Sequence, residues 1–330
     1  MELIKKKREE REQIGQTGTN WAGNVKYSSE QWARPTSVEN LQDLVKSANG
    51  QIKAIGSTHS FNDIADTSGG HISLENFTDF SIDTIDSTVT FGAGVTYNHL
   101  IEFLKEHKMA LKNLPSTTQI NVVGSVVTGT HGSGYKNQAI ANYVAGMKLV
   151  NPKGEIQTLV REDVDFKYYL HAFGALGIIY EMTMDIVPEY AVKKCIYEGL
   201  SFDFLTNVEE YLQVMQQTDT LSLFSDWKDA RFNSVWTGVN VAMDQLTEAD
   251  FAKSYTDVCD DEFHGAKLVE ATHTVPGREA VGVATSGYGM WYDKTPHFTP
   301  DSEPSSGGDE IQTEFFVKFS DYPRVQQELA

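Results

Sequence analysis

The chain has 330 residues, 40% of them hydrophobic and 22% charged, which is typical of a folded globular protein with room for about two domains. Its 46 acidic and 27 basic side chains give a formal net charge of −19, which repels phosphate backbones and anionic lipid surfaces. We therefore expect neither nucleic acid nor a membrane as a partner, and no run approaches the ~18 apolar residues of a membrane span. Residues 1–19 are predicted to be a charged N-terminal extension.

The cysteines and histidines give no sign of a metal centre. Cys195 and Cys259 are far apart in the chain and form neither a metal-binding nor a redox motif. One possible disulfide is weak evidence for a secreted scaffold, so the sequence favours a reducing cytoplasm. The nine histidines show no metal-ligand spacing, and no metal site is predicted.

The first predicted elements are a helix and a strand that leads into a glycine-rich loop. The segment 36–39 matches a capping box, and the helix after it carries its apolar side chains on one face. A short strand over 51–55 then runs directly into 56–62, which reads GSTHSFN. This order, a strand followed by a loop of small residues, suits a phosphate site.

The middle of the chain alternates strands with helices. Two or three strands are predicted between 71 and 94, and a helix capped by Thr96 follows as far as about Met109. A second glycine-rich loop opens at Asn121 and contains GSVVTGTHGSG over 124–134. The segments expected after it are a hairpin of 144–150 with 155–160, a helix over 165–173, a buried strand over 178–187 and a domain boundary at Pro188.

The remainder of the chain predicts an antiparallel sheet covered by helices. Thr206 and Glu209 form a second capping box before a helix, and 301–309 is predicted to be a loop. Alternation over 311–319 then predicts a strand with one apolar face, formed by Ile311, Thr313, Phe315, Val317 and Phe319.

The two glycine-rich loops point to a flavin cofactor rather than a nicotinamide. Small residues let a backbone approach a ligand closely, and successive exposed N–H groups can hold a pyrophosphate without any lysine. The neutral imidazole of His59 is a suitable nucleophile for the 8α carbon of a flavin. A solvated loop histidine and a tight exposed turn are the alternative interpretations. The chain lacks GxGxxG, GxxxxGK[ST], HExxH and GxSxG. No motif therefore supports a nicotinamide dehydrogenase, a nucleotide hydrolase, a zinc protease or a serine hydrolase.

Several motifs in this order resemble the FAD-linked oxidases of the vanillyl-alcohol-oxidase type, and within them the alditol (xylitol) oxidases. The motifs are 20–24 (NWAGN), 55–65, 124–134 and 174–177 (GALG), with weaker similarity as far as 316. The resemblance implies an α+β, two-domain flavoprotein. Its FAD-binding domain would span 20–188, and an antiparallel substrate (cap) domain covered by helices would span 189–330.

The resemblance also implies the cofactor site. FAD would be attached covalently to His59 through its 8α carbon, and Ser116 would contact both the flavin and the substrate as the catalytic residue. The residues implied in cofactor binding are Ala54, Ile55, Gly56, Ser57, Thr58, His59, Ser60, Ser116, Asn121, Gly124, Ser125, Val126, Val127, Thr128 and Ile178.

The implied activity is oxidation of a polyol such as xylitol or sorbitol. Hydride would pass to flavin N5, and dioxygen would reoxidise the flavin and leave as hydrogen peroxide. An aldonolactone oxidase or dehydrogenase is the alternative. The resembled oxidases also hold substrate with a Glu-x-Arg pair, a histidine and a lysine on later strands, which this chain lacks. We therefore expect a C-terminally truncated member with an incomplete cap domain, and a flavin-binding remnant without turnover is a further alternative. The oligomeric state is left open.

Overall fold

The computed structural model describes residues 18–29, 31–274, 282–298 and 311–329. The predicted loop 301–309 and most of the predicted extension 1–19 lie outside the described residues. No helix of the described residues is long and apolar enough to cross a membrane.

The first half alternates short strands with a few helices. Its strands are β1 (Gln31–Ala33), β2 (Ile52–Ile55), β3 (Gly70–Ser73), β4 (Phe80–Asp83), β5 (Thr88–Gly92), β6 (Met109–Ala110), β7 (Val144–Val150), β8 (Ile156–Val160), β9 (Ile178–Asp185) and β10 (Val187–Pro188). Its helices are α1 (Val38–Ser47), α2 (Tyr97–Glu106), α3 (Val122–Val127) and α4 (Phe166–Tyr169).

The second half is dominated by strands. They are β11 (Tyr190–Glu198), β12 (Leu200–Ser201), β13 (Thr220–Phe224), β14 (Arg231–Phe232), β15 (Ser234–Ala242), β16 (Glu262–Phe263), β17 (Ala266–Val269), β18 (Ala271–His273), β19 (Val283–Thr285) and β20 (Gly287–Met290). The helices are α5 (Asp203–Thr206), α6 (Val208–Gln217), α7 (Glu248–Phe251), α8 (Tyr255–Val258), α9 (Trp291–Lys294) and α10 (Tyr322–Leu329).

Three larger sheets organise these strands. A parallel sheet has the order β1-β3-β2, and an antiparallel sheet has the order β4-β5-β9-β7-β8. The third sheet runs β13-β15-β11-β17-β16, with β20 also paired to β11, and is antiparallel. The α+β architecture is therefore as predicted.

The first hydrophobic core is formed by buried side chains between Leu41 and Val192 together with Trp291. Side-chain periodicity explains its central elements. In β9 the buried Met182 and Met184 alternate with half-buried polar residues, so one face of the strand enters the core. Helix α2 buries Leu100, Ile101 and Leu104 on one face. Its start is fixed by Thr96, whose hydroxyl accepts a hydrogen bond from the backbone N–H three residues later, within a capping box.

Two helix starts lie one residue away from the predicted capping boxes. Helix α1 is capped by Ser37, whose hydroxyl accepts from the Asn40 N–H, rather than by the first residue of the 36–39 box. Helix α6 is capped by Asn207 rather than by Thr206. The side chains of Ser and Asn can also accept a hydrogen bond from the N–H three residues later. Each of the two helices therefore begins at the cap that leaves its apolar face on the core.

Two larger predictions are wrong, and the disulfide that the sequence left open is formed. The helix predicted over 165–173 is reduced to α4, and Phe173 has a left-handed φ of +52° that a right-handed helix cannot contain. No strand forms over 311–318, where Ile311, Phe315 and Val317 are exposed and pair with no other strand of the described residues. Cys195 and Cys259 are bonded to each other, since the residue after α8 packs against β11.

Candidate cofactor site

A cavity of about 1020 Å³ lies between the two glycine-rich loops and the edge of the second half of the chain. Loop residues 54–62 form one wall, residues 121–133 form another, and residues from β13 and from 295–298 close the third side. All of the residues implied in cofactor binding line this cavity except Val126 and Ile178. Those two are buried, and Ile179, the residue after Ile178, lines the cavity.

The first loop is held from behind by residues 18–25, which we call the N-terminal clasp. The Trp21 N–H donates to Thr58 O at 2.9 Å, and Asn20 Nδ2 donates to Ser60 O at 2.9 Å. The Trp21 indole stacks on the His59 imidazole, with ring centroids 4.6 Å apart and an interplanar angle of 16°. The predicted attachment residue therefore has a fixed ring plane at the cavity wall.

Tight turns bring the first loop close to Asn121. Thr58 has a φ of +59°, a left-handed conformation that helps successive N–H groups to converge on an anion. The Asn121 N–H donates to Ser57 Oγ at 3.1 Å, and its Nδ2 donates to Gly94 O at 3.0 Å. A Cβ on Gly56 would lie 2.8 Å from Asn121 Oδ1, so glycine is needed for this close approach.

The second loop begins as helix α3 and ends against the second half of the chain. Ser125 donates to Val122 O at 2.7 Å and accepts from the buried Tyr97 hydroxyl at 2.7 Å, which fixes the helix that lines the cavity. Burial raises the pKa of Tyr97, so its hydroxyl stays protonated and donates. Farther on, Ser133 Oγ donates to Leu221 O at 2.8 Å and accepts from the Leu221 N–H at 3.0 Å.

In the third wall, the backbone of Ser116 is hydrogen-bonded to a segment from later in the chain. The N–H groups of His297 and Phe298 both donate to Ser116 O, at 3.0 and 2.8 Å. His297 Nε2 lies 3.2 Å from Ser222 Oγ, and all of these residues line the cavity. The backbone of Ser116 is therefore tied to a Ser–His pair.

Electrostatics keep this histidine uncharged. Burial, assisted by the positive charge of Lys194, lowers the pKa of His297 to about 3. Burial and the charge of Lys294 in turn lower the pKa of Lys194 to about 7. The Lys194 ammonium lies 4.6 Å from the Trp236 ring centroid, which favours its charged form, but removal from water is the larger effect.

Sequence reasoning missed Trp21, Ser222 and His297 as site residues. Trp21 stands in the NWAGN motif, but nothing in local spacing shows that it stacks on His59. The contacts between Ser116 and His297 join residues far apart in the chain, and such pairings have no local periodic signal. A lone histidine in a polar segment is not distinctive until its partners are known.

The residues present fit FAD. The volume is at the upper end of what cofactor cavities offer, as a dinucleotide requires. Among the described lining residues there is no Lys or Arg, so a diphosphate would be held by backbone N–H groups and by hydroxyls. The described residues also contain no cluster of His, Cys, Asp and Glu that could hold a metal ion.

Comparison with known proteins agrees with this fit. The family model of the FAD binding domain matches residues 30–159. The chain is 32% identical over 305 residues to an alditol oxidase of Streptomyces sp. (strain IKD472 / FERM P-14339), covering 91% of this chain and 69% of that protein. It is 30% identical over 228 residues to a D-arabinono-1,4-lactone oxidase of Saccharomyces cerevisiae, covering 66% and 40%. It is 28% identical over 201 residues to an L-gulonolactone oxidase of Bos taurus, covering 59% and 46%.

Fold, cavity and family match together define a flavoprotein with an FAD binding domain. The chain belongs to the FAD-linked oxidases of the vanillyl-alcohol-oxidase type, the family of the alditol oxidases. It spans 69% of the length of the alditol oxidase and less than half of the two lactone oxidases.

Proposed function

We propose that the protein oxidises a polyol such as xylitol or sorbitol, with dioxygen as the electron acceptor and hydrogen peroxide as a product. The observation that carries this proposal is that His59 and Ser116 line one continuous cavity in a chain 32% identical to an alditol oxidase. FAD, when bound, supplies the hydride acceptor. The protein's task is to hold it, to orient the substrate carbon and to receive the hydroxyl proton.

The chain's own residues divide these tasks. Residues 54–60 would wrap the diphosphate, and Asn121 with 124–128 would contact the flavin and its ribityl chain. Ile178 is buried next to the cavity-lining Ile179. The Ser116 hydroxyl would bind a substrate hydroxyl, because its backbone carbonyl is fixed by two N–H donors and its side chain is exposed to the cavity.

We further propose a covalent bond between His59 and the flavin. The supporting geometry is the stacked imidazole at the cavity wall. The domain boundary at Pro188 also stays a proposal, supported by the change of sheet between β9 and β11. A cytoplasmic location also stays a proposal, and the Cys195–Cys259 disulfide argues against it, because disulfides are more typical of an oxidising compartment.

The relatives supply one alternative substrate class. Two of the proteins compared above are lactone oxidases, so an aldonolactone is the second candidate. Both substrate classes present a carbinol carbon to the flavin, and the side chains described in the cavity wall suit either. A flavin-binding protein without turnover is the third candidate, since the chain covers only part of each relative's length.

The first test is the visible absorption spectrum of the purified protein before and after acid precipitation. We expect yellow colour that stays with the precipitated wild type and is wholly released or absent in His59→Ala. His131→Ala is the matched control, since His131 also lines the cavity, and it should keep acid-stable colour. Colour released by acid from the wild type would contradict the covalent bond and leave FAD binding in place.

The second test is peroxide formation with xylitol, sorbitol and D-arabinono-1,4-lactone. Turnover with a polyol supports the main proposal, and turnover with the lactone alone supports the alternative. A flavin-loaded protein that neither reduces its flavin nor forms peroxide with any of them would refute oxidase activity in this chain.

A further inference from the structure

The N-terminal clasp contacts the first loop at three successive points around His59. Its backbone and side chains donate to the carbonyls of Thr58, Ser60 and Phe61, the last from Asn24 Nδ2 at 2.8 Å. Asn20 Nδ2 also donates to Asn24 Oδ1 at 2.7 Å, which locks the two amide side chains together. The loop that carries His59 is thus fixed by a segment about forty positions earlier in the chain.

The clasp also places an aromatic ring on the imidazole itself. The Trp21 and His59 rings are nearly parallel at 4.6 Å, and the edge of Phe61 packs against Trp21 at 6.1 Å. Trp21 and His59 both line the cavity and are both half-buried. One face of the imidazole is therefore covered by indole, so the ring cannot turn freely about its side-chain bonds.

We propose that Trp21 is a positioning residue for the attachment of the flavin to His59. The inference rests on the covalent bond proposed above. Attachment forms one C–N bond between an imidazole nitrogen and the 8α carbon, and it breaks one C–H bond of that methyl group and one N–H bond. The two electrons released pass to the flavin and from it to dioxygen, which takes up both protons and leaves as hydrogen peroxide.

Ring orientation should control this step. A displacement of about 1 Å from the attacking geometry can lower the rate of a reaction by a factor of about a hundred. Stacking fixes the imidazole plane, and an indole face also favours positive charge that develops on the ring as its nitrogen forms the new bond. Trp21 therefore acts on attachment rather than on binding of FAD, which the loop backbones would hold without it.

The test compares the rate of attachment in Trp21→Leu, Trp21→Phe and the wild type. Each full-length apoprotein is incubated with FAD in air, and the flavin that stays with acid-precipitated protein is measured over time, together with total bound flavin. We expect Trp21→Leu to bind flavin but to attach it at least tenfold more slowly. Trp21→Phe keeps an aromatic ring on His59 and should attach flavin within about threefold of the wild-type rate.

Two controls separate stacking from general loop rigidity. Asn24→Ala removes two hydrogen bonds of the clasp, to Phe61 O and from Asn20 Nδ2, and leaves the indole in place, so it should lower stability without slowing attachment more than about threefold. Trp32→Leu removes another half-buried tryptophan that packs on a histidine, His71, outside the cavity, and should leave the rate unchanged.

Each outcome decides the inference. Attachment by Trp21→Leu at the wild-type rate overturns it, as does equal slowing by Asn24→Ala. If Trp21→Leu does not fold, Trp21→Phe and Asn24→Ala decide between stacking and rigidity, and a Phe variant slower than Asn24→Ala overturns the inference. If the wild type releases all of its flavin in acid, the covalent bond and this inference fail together, while polyol oxidation is judged separately by peroxide formation.

Discussion

Gly56 shows how one missing side chain shapes the cofactor loop. A Cβ at this position would lie 2.8 Å from Asn121 Oδ1 and 3.3 Å from its Cγ. The Asn121 amide cannot simply swing away, because its Nδ2 is hydrogen-bonded to Gly94 O. An added methyl group therefore forces either that hydrogen bond or the loop itself to change.

We expect Gly56→Ala to lower the free energy of unfolding by about 1–3 kcal/mol and to weaken flavin binding. Asn121→Ala in the same chain should restore part of the stability, since only the more distant Asn121 Cβ, at 3.4 Å, would then face the new methyl group. Urea unfolding measures both. Gly124→Ala is the control, because its nearest neighbour would be at 3.8 Å and the residue is helical. A Gly56→Ala protein as stable as the wild type would contradict the steric argument.

Lys194 makes stability depend on pH. Its folded-state pKa of about 7 is below the ordinary value of 10.5, so between these pH values the unfolded chain holds a proton that the folded chain lacks. Folding stability from this group therefore rises with pH across that window, by at most about 1.4 kcal/mol per pH unit. The unfavourable contribution is complete below about pH 7 and disappears as the pH approaches 10.5.

Lys194→Met should consequently be more stable than the wild type near neutral pH, and the difference should shrink as the pH rises. Urea unfolding of both proteins at about pH 6.5, 8 and 9.5 measures the difference directly, which cancels the titration of other groups. Lys193→Met, on the same strand but half-exposed, is the matched control. A Lys194→Met difference that stays constant across this range would mean that the folded chain keeps Lys194 charged.

At the scale of elements, the second glycine-rich loop serves two purposes that its sequence does not separate. Residues 122–127 form α3, and this helix and Thr128 after it contribute to the cavity wall. Residues 132–134 also dock the loop on its surroundings: a Cβ on Gly132 would lie 2.5 Å from Leu114 O, and Ser133 bonds both backbone groups of Leu221. Glycine at position 132 therefore permits close contact within the protein.

Elements with strong local signals were predictable, and those that depend on distant partners were not. The hairpin β7–β8 follows from two alternating runs around an Asn-Pro-Lys-Gly turn, and α2 follows from its Thr96 cap and apolar face. The strand expected over 311–319 has the right alternation but makes no sheet pairing among the described residues. A strand needs a neighbour for its backbone hydrogen bonds, and periodicity alone cannot supply one.

The same limit applies to the candidate site. The two glycine-rich loops could be found from local composition, because glycine and small residues are needed wherever a backbone approaches a ligand. The ties between Trp21 and His59, and between Ser116 and His297, arise only when distant segments meet. Cys195 and Cys259 are a further example, since nothing in their spacing showed that they would be bonded.

At the scale of the whole molecule, Trp291 links the two halves of the chain. It is fully buried in the first hydrophobic core, although it directly follows β20, a strand of the third sheet. Its ring packs near Tyr190, at 6.3 Å, and the adjacent Tyr292 ring receives the ammonium of Lys105 from α2. The helix that begins at Trp291 leads directly into 295–298, the segment that holds the Ser116 carbonyl.

This arrangement predicts that the two halves unfold together. Trp291→Ala should lower the free energy of unfolding by about 3–5 kcal/mol, because it empties a large volume in the first core. It should also reduce flavin retention, because the 295–298 wall loses its anchor. Urea unfolding followed by both far-UV circular dichroism and flavin fluorescence should then give one coincident transition at a lower midpoint.

Trp227→Ala, at a tryptophan that is 62% exposed, is the control and should change stability by less than about 1 kcal/mol. Two separate transitions, with flavin release unaffected by Trp291→Ala, would instead show that the flavin-binding half is stable without the second half and would support an independent domain ending at Pro188.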